Sequence, residues 1–361
     1  MVTEMPRKAL IAMSGGVDSS VAAYLMKQRG YDCAGVTLKL FDNDEVGVNP
    51  EKACCSLDHI EDARSVCRSL GIPYYVYNFR ESFKDTVIAR FIAAYEEGRT
   101  PNPCIDCNRF IKFEKLLRRA EELGMDCVVT GHYARTEFDE ATGRWLLKKA
   151  VDPAKDQSYV LYSLTQYQLS KTVFPLGDMT KEQTRQLAGD LGLVNAQKHD
   201  SQDICFVPDG DYARFIEDFT GKAYPCGDFV DESGRVLGEH KGIIRYTIGQ
   251  RKGLGLALPH PMYVKEKNIA ENKVVLCDSD ALFSRELLAN DINLISVEKT
   301  DEPMRVSARV RYNQKEQPAT VYQLDGDTIR VVFDEPQRAI CKGQAVVLYQ
   351  GDVVVGGGTI I

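Results

Sequence analysis

The sequence predicts an α/β protein with a Rossmann-like parallel sheet at the N-terminus, a small central β-rich domain and a C-terminal β-barrel. In the first half, short apolar runs alternate with helical patterns, which indicates βαβ units and a parallel sheet. From about residue 207 glycines and turns replace the long helices, and after about residue 275 almost every segment has a strand pattern. We therefore expect domains at residues 1–206, 207–274 and 275–361.

Four strands are expected in the N-terminal domain, with helices between them. The first helix should end at Gly30, because glycine readily adopts the left-handed conformation found after a helix. Asp58 and Glu61 are spaced as a capping box for the second helix. A later helix is expected to follow Asn108. The predicted strands are 8–13, 31–41, 72–79 and 126–130.

The C-terminal segments alternate apolar and polar residues and are separated by turns. Asp325-Gly326 lies between two such segments, and an Asp-Gly pair in this position is typical of a hairpin. Several short strands in succession at the end of a chain favour a small barrel.

Composition excludes several classes of protein. The chain has 361 residues, a net charge of −7, 44% hydrophobic and 27% charged residues, unlike disordered, collagen-like or disulfide-scaffold proteins. It lacks a secretion signal and an apolar run of about 18 residues, so we expect a cytoplasmic protein with reduced thiols and no membrane contact. The mild acidity argues against a uniformly basic nucleic-acid binder but is compatible with a local basic groove.

The segment Ser14-Gly-Gly-Val-Asp-Ser-Ser20 connects the first strand to the first helix. A helix start offers unpaired N–H groups and a positive dipole, and glycines let a phosphate approach the backbone. Asp18 would repel a phosphate unless it holds Mg²⁺ or a protonated partner. The Walker and dinucleotide-binding glycine patterns are absent, and a plain Gly-Ser turn is the alternative. The segment resembles the phosphate loop of ATP pyrophosphatases, which implies ATP with Mg²⁺ but not which substrate.

Three cysteines occupy two polar segments. Cys104 and Cys107 form a CxxC in a proline-rich loop, where the start of the following helix and Arg109 would favour a Cys107 thiolate. A CxxC alone also fits zinc, iron–sulfur or thioredoxin-like chemistry, or two packed thiols, and no second pair for a zinc ribbon is present. Cys205 by itself, within Ile-Cys-Phe, is more typical of a packed core thiol.

Seven motifs follow one another in an order that resembles the tRNA-specific 2-thiouridylase family over essentially the entire chain. They are SGGVDSS, GRTPNPxxxCN with IKF, TGHYAR, KDQSYVL, DSQDICFVPDGDY, YTIGQRKGLG and PQRAIxxGQAVVLY. The resemblance implies an ATP site in which the contacting residues come from the first loop, the second strand and the TGHYA motif. These residues are Ala12, Met13, Ser14, Gly15, Gly16, Val17, Asp18, Ser19, Leu38 and Gly131.

The resemblance also implies the reaction, which is ATP-dependent 2-thiolation of the wobble uridine, U34. ATP adenylates the C2 oxygen of the base, and a persulfide on Cys205 supplies the sulfur. Cys107 acts as nucleophile, and a Cys107–Cys205 disulfide remains for a reductant. Asp18 belongs to the same catalytic set. The sulfur would come from a sulfur-relay protein or a cysteine desulfurase.

The expected macromolecular partner is the anticodon arm of tRNA, from which the target base must be flipped. Two segments, 241–255 and 303–315, contain basic residues and no acidic ones, and either could neutralise phosphates or form an ordinary solvated face. The tRNA-contacting residues implied by the resemblance and by these segments are Asn102, Pro103, Lys155, Asp156, Gln157, Arg251, Lys252, Arg311 and Tyr312.

The sequence departs from the family pattern at Cys104, where many members have aspartate. This leaves a second hypothesis, in which Cys104, Cys107 and Cys205 hold a [4Fe–4S] cluster with one iron open for sulfide. Two other functions also fit the first loop. One is an ATP-dependent ligase that forms amides or guanidines, and the other is an RNA-binding protein that retains the ATP fold as a scaffold.

Overall fold

The structure is a computed structural model that describes residues 6–42, 57–198, 204–207 and 209–361. Residues 199–203, which include the whole DSQD part of one predicted motif, lie outside the described residues, as does Pro208. The described chain forms three sheets, and their arrangement is that of an α/β protein with two β-rich units after the first.

The N-terminal sheet has five parallel strands in the order β3-β2-β1-β4-β7. The strands of this half of the chain are β1 (Lys8–Ala12), β2 (Asp32–Lys39), β3 (Tyr74–Asn78), β4 (Cys127–Val129), β5 (Ala134–Asp139), β6 (Arg144–Lys149) and β7 (Thr172–Val173). The central strand β1 is apolar on both faces, with Leu10 and Ile11 fully buried, because helices cover both sides of the sheet. The four strands predicted from sequence are confirmed, each with shorter ends.

Helices connect these strands, and two of the longer ones contain a wide π-helical stretch. Lys84–Ile88 joins α3 to α4, and Cys107–Lys115 joins α5 to α6. The helices are α1 (Val17–Gln28), α2 (Leu57–Leu70), α3 (Arg80–Phe83), α4 (Ala89–Glu96), α5 (Pro103–Asp106), α6 (Leu116–Glu122), α7 (Gln166–Ser170) and α8 (Lys181–Asp190). A 3₁₀ turn lies at Ser158–Leu161.

Two helix starts differ from the expectation. Asp58 lies in the first turn of α2 and not before it, so it is not the N-cap of a capping box. The helix expected after Asn108 begins at Pro103, because Asn102 provides the cap and proline is well suited to the first helical position. The predicted stop of α1 is confirmed, since Gly30 follows the helix with φ +80°.

The central unit consists of helix α9 (Tyr212–Thr220) and a four-stranded sheet in the order β10-β11-β8-β9. Its strands are β8 (Gly227–Asp231), β9 (Val236–His240), β10 (Tyr263–Asn268) and β11 (Lys273–Cys277). A short 3₁₀ turn, Ile243–Arg245, follows β9. The expected boundary at residue 274 falls inside β11, and this sheet ends three residues later.

The C-terminal unit is a closed barrel of six strands in the order β12-β15-β14-β13-β16-β17, with β12 and β17 also paired. Its strands are β12 (Phe283–Leu294), β13 (Met304–Arg309), β14 (Gln317–Gln323), β15 (Ile329–Arg338), β16 (Ala345–Gln350) and β17 (Val353–Ile360). The predicted Asp325-Gly326 hairpin joins β14 to β15, where Gln323 pairs with Ile329. The 3₁₀ turn Ser279–Leu282 precedes the barrel.

One feature of the barrel sheet is absent from the sequence prediction. The hairpin β5–β6, which belongs to the N-terminal half of the chain, pairs with β17 at Lys148 and Val353. Strand pairing therefore joins the first and last parts of the chain directly.

Candidate functional site

The loop after β1 has the backbone geometry of an anion-binding loop. Gly15 has φ +76°, and a Cβ at this position would lie 2.4 Å from the His59 carbonyl oxygen of α2. Gly16 caps α1 without a side-chain hydrogen bond. The first-turn N–H groups of α1 therefore point toward a space that an anion can occupy.

Side chains hold this loop in one conformation. Ser19 Oγ donates to the Gly16 carbonyl oxygen at 3.0 Å and accepts from the Ser14 N–H at 3.2 Å. Asn195 Nδ2 donates to the Gly15 carbonyl oxygen at 3.0 Å and to Ser20 Oγ at 2.8 Å. Asn195 was not predicted as a site residue, because it comes from a distant turn that no local pattern connects to the loop.

The predicted ATP-binding segments meet at the centre of the sheet. A Cβ on Gly131 would lie 2.8 Å from the Ser19 nitrogen, so the loop after β4 touches the start of α1. Thr37, next to Leu38 in β2, donates a 2.7 Å hydrogen bond to the Met13 carbonyl oxygen. The order β2-β1-β4 makes this the switch point of the sheet, where α/β folds bind their ligands.

Asp18 has a protonated partner that the sequence analysis did not identify. Lys181 Nζ lies 2.7 and 2.8 Å from the two carboxylate oxygens, and the Tyr133 hydroxyl donates to one of them at 2.8 Å. The Lys181 side chain is only 9% exposed. The Thr180–Gln183 capping box starts α8 and places Lys181 in its first turn. That box was the available sequence signal for a helix here, although not for the ion pair.

His132 lies beside the same loop as a neutral imidazole. Its Nδ1 is 2.7 Å from Thr130 Oγ1. Burial and, secondarily, the nearby Lys112 ammonium hold the pKa of His132 well below its ordinary value. The ring can therefore donate or accept a hydrogen bond near the nucleotide loop without adding charge.

Cys107 and Cys205 border the same buried cluster. Cys107 is 9% exposed and belongs to a cluster with Leu38 of the predicted ATP site, while the half-buried Cys205 packs against that cluster. The next residue, Phe206, is fully buried, with its ring centroid 5.3 Å from that of Phe91. Phe206 thus anchors the Ile-Cys-Phe segment and leaves Cys205 at the edge of the cluster.

The environment predicted for Cys107 is partly wrong. The helix begins at Pro103, so Cys107 is its fifth residue, whereas the dipole effect is largest in the first turn. Arg109 is engaged by the barrel, since its Nη2 donates to Asp291 Oδ1 at 3.0 Å. Residues two positions apart on a helix also point to different sides.

Cys104 lies in a different environment from Cys107. It is exposed, its N–H donates to Asn102 Oδ1 at 3.2 Å, and its thiol is close enough to Tyr312 to raise the pKa of that phenol in addition to the larger effect of burial. Within the described part of the chain, no three His, Cys, Asp or Glu residues are arranged to hold a metal ion. The three cysteines therefore do not fit an iron–sulfur cluster in this conformation.

Magnesium is a different case, because a nucleotide-bound Mg²⁺ requires only one or two protein carboxylates and keeps several waters. Asp18 is the carboxylate at the start of α1, and its oxygens accept hydrogen bonds from Lys181 and Tyr133. Because the Lys181 ammonium contacts both oxygens, a direct Mg²⁺ contact with Asp18 would require Lys181 to move.

Several predicted tRNA-contacting residues hold the protein together. Asp156 is buried and its carboxylate accepts from the Ala150 N–H at 3.1 Å and from Ser158 Oγ at 2.9 Å. Gln157 accepts from the Tyr133 N–H at 2.9 Å. These two side chains therefore serve the interior in this conformation, and their predicted contact with tRNA would require rearrangement.

Arg311 and Tyr312 lie at the junction between units. Arg311 Nη2 donates to the carbonyl oxygens of Ile248 at 3.2 Å and Ala339 at 3.0 Å, which joins the central unit to the barrel. The partly exposed Tyr312 donates to the Asp156 carbonyl oxygen at 3.3 Å.

The remaining predicted tRNA residues lie on or near the surface. Arg251 and Lys252 are exposed in the loop before β10, and Lys155 is half-buried. The cysteine helix is the continuous helical segment 103–122, made of α5, the π-helical stretch and α6. Asn102 lines a cavity of about 320 Å³ between this helix and the barrel, whereas Pro103 is buried beside it.

None of the helices described here is both long and apolar enough to cross a membrane.

Comparison with known proteins places these features in a family. A family model described as tRNA methyl transferase HUP domain matches residues 7–209. Models described as tRNA methyl transferase PRC-barrel domain and aminomethyltransferase beta-barrel domain match residues 213–278 and 284–360.

Relatives that match nearly the full length of the chain have the same family name. The tRNA-specific 2-thiouridylase MnmA of Clostridioides difficile (strain 630) is 54% identical over 99% of this chain and 98% of its own length. The protein of the same name from Acetivibrio thermocellus is 53% identical over 98% of this chain and 99% of its own length. The chain therefore belongs to the tRNA-specific 2-thiouridylase family, as the ordered motifs predicted.

Proposed function

We propose that this protein is a sulfurtransferase that uses ATP to replace the C2 oxygen of the wobble uridine of tRNA by sulfur. The observation that carries the proposal is that Cys107 and Cys205 border one hydrophobic cluster, which also contains Leu38 of the predicted ATP site. The names of the full-length relatives support the same substrate and reaction.

The loop after β1 would hold the phosphates of ATP. The N–H groups at the start of α1 and the hydroxyl of Ser14 would donate to them, and the absence of a side chain on Gly131 lets the loop after β4 approach the start of α1. The ion pair with Lys181 offsets the negative charge of Asp18, so that the carboxylate repels the phosphates less. Mg²⁺, when bound, would neutralise charge on the phosphates as pyrophosphate leaves.

Adenylation converts a poor leaving group into a good one. The C2 oxygen of the base attacks the α-phosphorus, pyrophosphate departs, and the oxygen later leaves as part of AMP. The sulfur arrives as the outer atom of a Cys205 persulfide, donated by a sulfur-relay protein or a cysteine desulfurase. Cys107 attacks the inner sulfur and forms a Cys107–Cys205 disulfide, while the outer sulfur takes the electron pair and bonds to C2. A cellular thiol then reduces the disulfide, as the reducing cytoplasm would allow.

The tRNA would bind through its anticodon arm across the domain junction. The exposed Arg251 and Lys252 lie in one loop, and Asn102 lines the cavity next to the cysteine helix. Cations of this kind neutralise backbone phosphates without reading sequence.

Mass spectrometry of tRNA nucleosides tests the proposal directly. The purified protein is incubated with tRNA, ATP and Mg²⁺ and with a persulfide donor, and 2-thiouridine is quantified. Cys205→Ser and Cys107→Ser should each reduce the product to background, because each removes one sulfur of the relay. Cys226→Ser is the matched control, since Cys226 is exposed in the central unit and away from the predicted site.

Pyrophosphate release separates the alternatives. Release that requires tRNA and persists in Cys205→Ser supports adenylation of the base before sulfur transfer. Release that requires a small amine and no tRNA would instead identify a ligase. An RNA-binding function that is unchanged in Cys205→Ser would point to a non-enzymatic role. Iron and acid-labile sulfide are measured after anaerobic purification, and full thiolation by iron-free protein would exclude the cluster hypothesis.

A further inference from the structure

The C-terminal barrel contacts the cysteine helix at two separate places. The first contact is a two-pronged ion pair in which both terminal nitrogens of Arg109 donate to the carboxylate of Asp291. Arg109 follows Cys107 by two residues, and Asp291 belongs to β12. Paired N–H···O bonds of this kind fix orientation as well as distance.

Asp291 is held in a strained conformation that suits this contact. Its φ is +49°, which is uncommon for a residue other than glycine, and the pairing of β12 with β17 shifts register between Asn290 and Asn293. The bulge turns the carboxylate out of the strand toward the helix. Strain of this sort is retained where surrounding structure requires it, often at functional sites.

The second contact holds the backbone just before the helix. The Thr100 N–H donates to the Lys342 carbonyl oxygen at 2.8 Å, and Gln344 Nε2 donates to the Thr100 carbonyl oxygen at 2.8 Å. Gly343 lies between them with φ +88°, where a Cβ would be 2.9 Å from the Arg99 Cβ. The barrel thus approaches this segment as closely as a glycine permits.

We infer that the barrel positions the cysteine helix, with Asp291 and Gln344 as positioning residues for the Cys107 nucleophile. The two contacts lie on either side of Cys107 along the chain and come from different barrel segments, so together they resist both sliding and rotation of the helix. The catalytic significance of this positioning rests on the proposed function. The positioning itself can be measured without tRNA.

The primary test measures the reactivity of Cys107 in the full-length protein. The rate of its alkylation by iodoacetamide is followed from pH 6 to 9 by peptide mass spectrometry. Asp291→Asn keeps size and tolerates positive φ but removes the charge, so the buried thiol should react about two- to fivefold faster across the profile, as expected for loss of one partly exposed ion pair. Gln344→Ala should act in the same direction.

Glu286→Gln is the matched control. Glu286 lies on the same strand and accepts from Arg330 Nε at 2.9 Å, but it does not touch the cysteine helix. Its loss should leave the alkylation rate of Cys107 unchanged. If Asp291→Asn changes the rate no more than Glu286→Gln does, the inference is wrong.

A double-mutant cycle distinguishes positioning from general destabilisation. Arg109→Gln should raise the alkylation rate as Asp291→Asn does, and the double variant should be no faster than either, because both remove one interaction. Fully additive effects would contradict the inference. In thiolation assays Asp291→Asn should lower kcat and leave KM for ATP unchanged. A wild-type protein without thiolation activity would refute the proposed function while leaving the alkylation result valid.

Discussion

At the level of single residues, Lys267 is notable because its ammonium group is buried, although a charged group is ordinarily more stable in water. It is 9% exposed in β10, and its ammonium lies 5.6 Å from the centre of the Tyr95 ring. Among the described residues its Nζ has no hydrogen-bond partner. Burial lowers the pKa of Lys267 to about 8, and the nearby Cys341 opposes this only weakly.

This burial predicts a pH-dependent stability effect. The native state holds its proton on Lys267 less tightly than the unfolded state does, so below about pH 8 the buried charge costs the full difference, up to about 3 kcal/mol. Lys267→Met should therefore raise the free energy of unfolding near pH 7. The gain should shrink as the pH rises from about 8 toward 10.4, where the unfolded chain also loses the proton. Urea unfolding at several pH values measures it.

Lys265→Met is the control for this experiment, because Lys265 lies on the same strand but is exposed and paired with Glu232. It should change stability by no more than about 0.5 kcal/mol at any pH. A Lys267→Met effect that is the same at pH 7 and pH 10 would show that the buried charge is not its cause.

At the level of structural elements, the start of α1 depends on Gly15, which combines a positive φ with a close approach to the His59 backbone. Gly15 and Gly30 lie before and after α1 with nearly equal φ values of +76° and +80°. They differ in space, since a Cβ on Gly15 would collide with the His59 backbone, whereas nothing lies within 4 Å of one on Gly30. Substitutions at the two glycines therefore distinguish the effect of backbone strain, which both would cause, from the effect of steric collision, which only Gly15 would cause.

We expect Gly15→Ala to weaken ATP binding at least about tenfold, because the loop must move away from α2 and lose its alignment with the helix start. Gly30→Ala should cost about 1 kcal/mol of stability from the positive φ and leave ATP affinity unchanged. Isothermal titration with ATP and thermal unfolding measure the two quantities. Equal ATP affinities for the two variants would contradict the assignment of this loop.

At the scale of the whole molecule, contacts between units use charged residues that the sequence suggested for tRNA. Asp156 forms an ion pair with Arg309 of the barrel at 3.4 Å, and Arg311 donates a hydrogen bond to the Ile248 carbonyl oxygen of the central unit. The exposed cations Arg251 and Lys252 are therefore better candidates for direct phosphate contact.

Replacing Arg251 and Lys252 together by alanine should weaken tRNA binding and make it less sensitive to salt. Each lost phosphate contact reduces the slope of log affinity against log salt by about 0.7 to 0.9, so we expect a reduction of between about one and two. Filter binding of tRNA at several salt concentrations gives the slope. Lys273→Ala, an exposed lysine paired with Glu271, is the control, and a slope unchanged in the double variant would remove this loop from the tRNA surface.

Local patterns support predictions only for the parts of the site that one short segment encodes. The glycines and serines after β1 indicated a phosphate loop because a strand, a turn and a helix start are adjacent in the chain. The Asp18–Lys181 ion pair could not be found this way, since its partners are far apart in sequence and meet only where α8 packs on α1. The Arg109–Asp291 ion pair was missed for the same reason, because Asp291 comes from the barrel.

Periodicity and ordered motifs are properties of the chain, and they were enough to predict the fold class and the family. The nucleotide loop and the roles of the two cysteines stay predictions from the same motifs. Three features are visible only in the tertiary structure. They are the pairing of charged side chains, the burial of some predicted contact residues, and the pairing of the β5–β6 hairpin with the barrel sheet. The physical reason is that burial and ion pairing depend on what lies opposite a side chain in space. In this protein the groups opposite the cysteine helix come from distant parts of the chain, since Arg109 pairs with Asp291 of the barrel and Asn108 Nδ2 donates to the Val160 carbonyl oxygen at 2.9 Å.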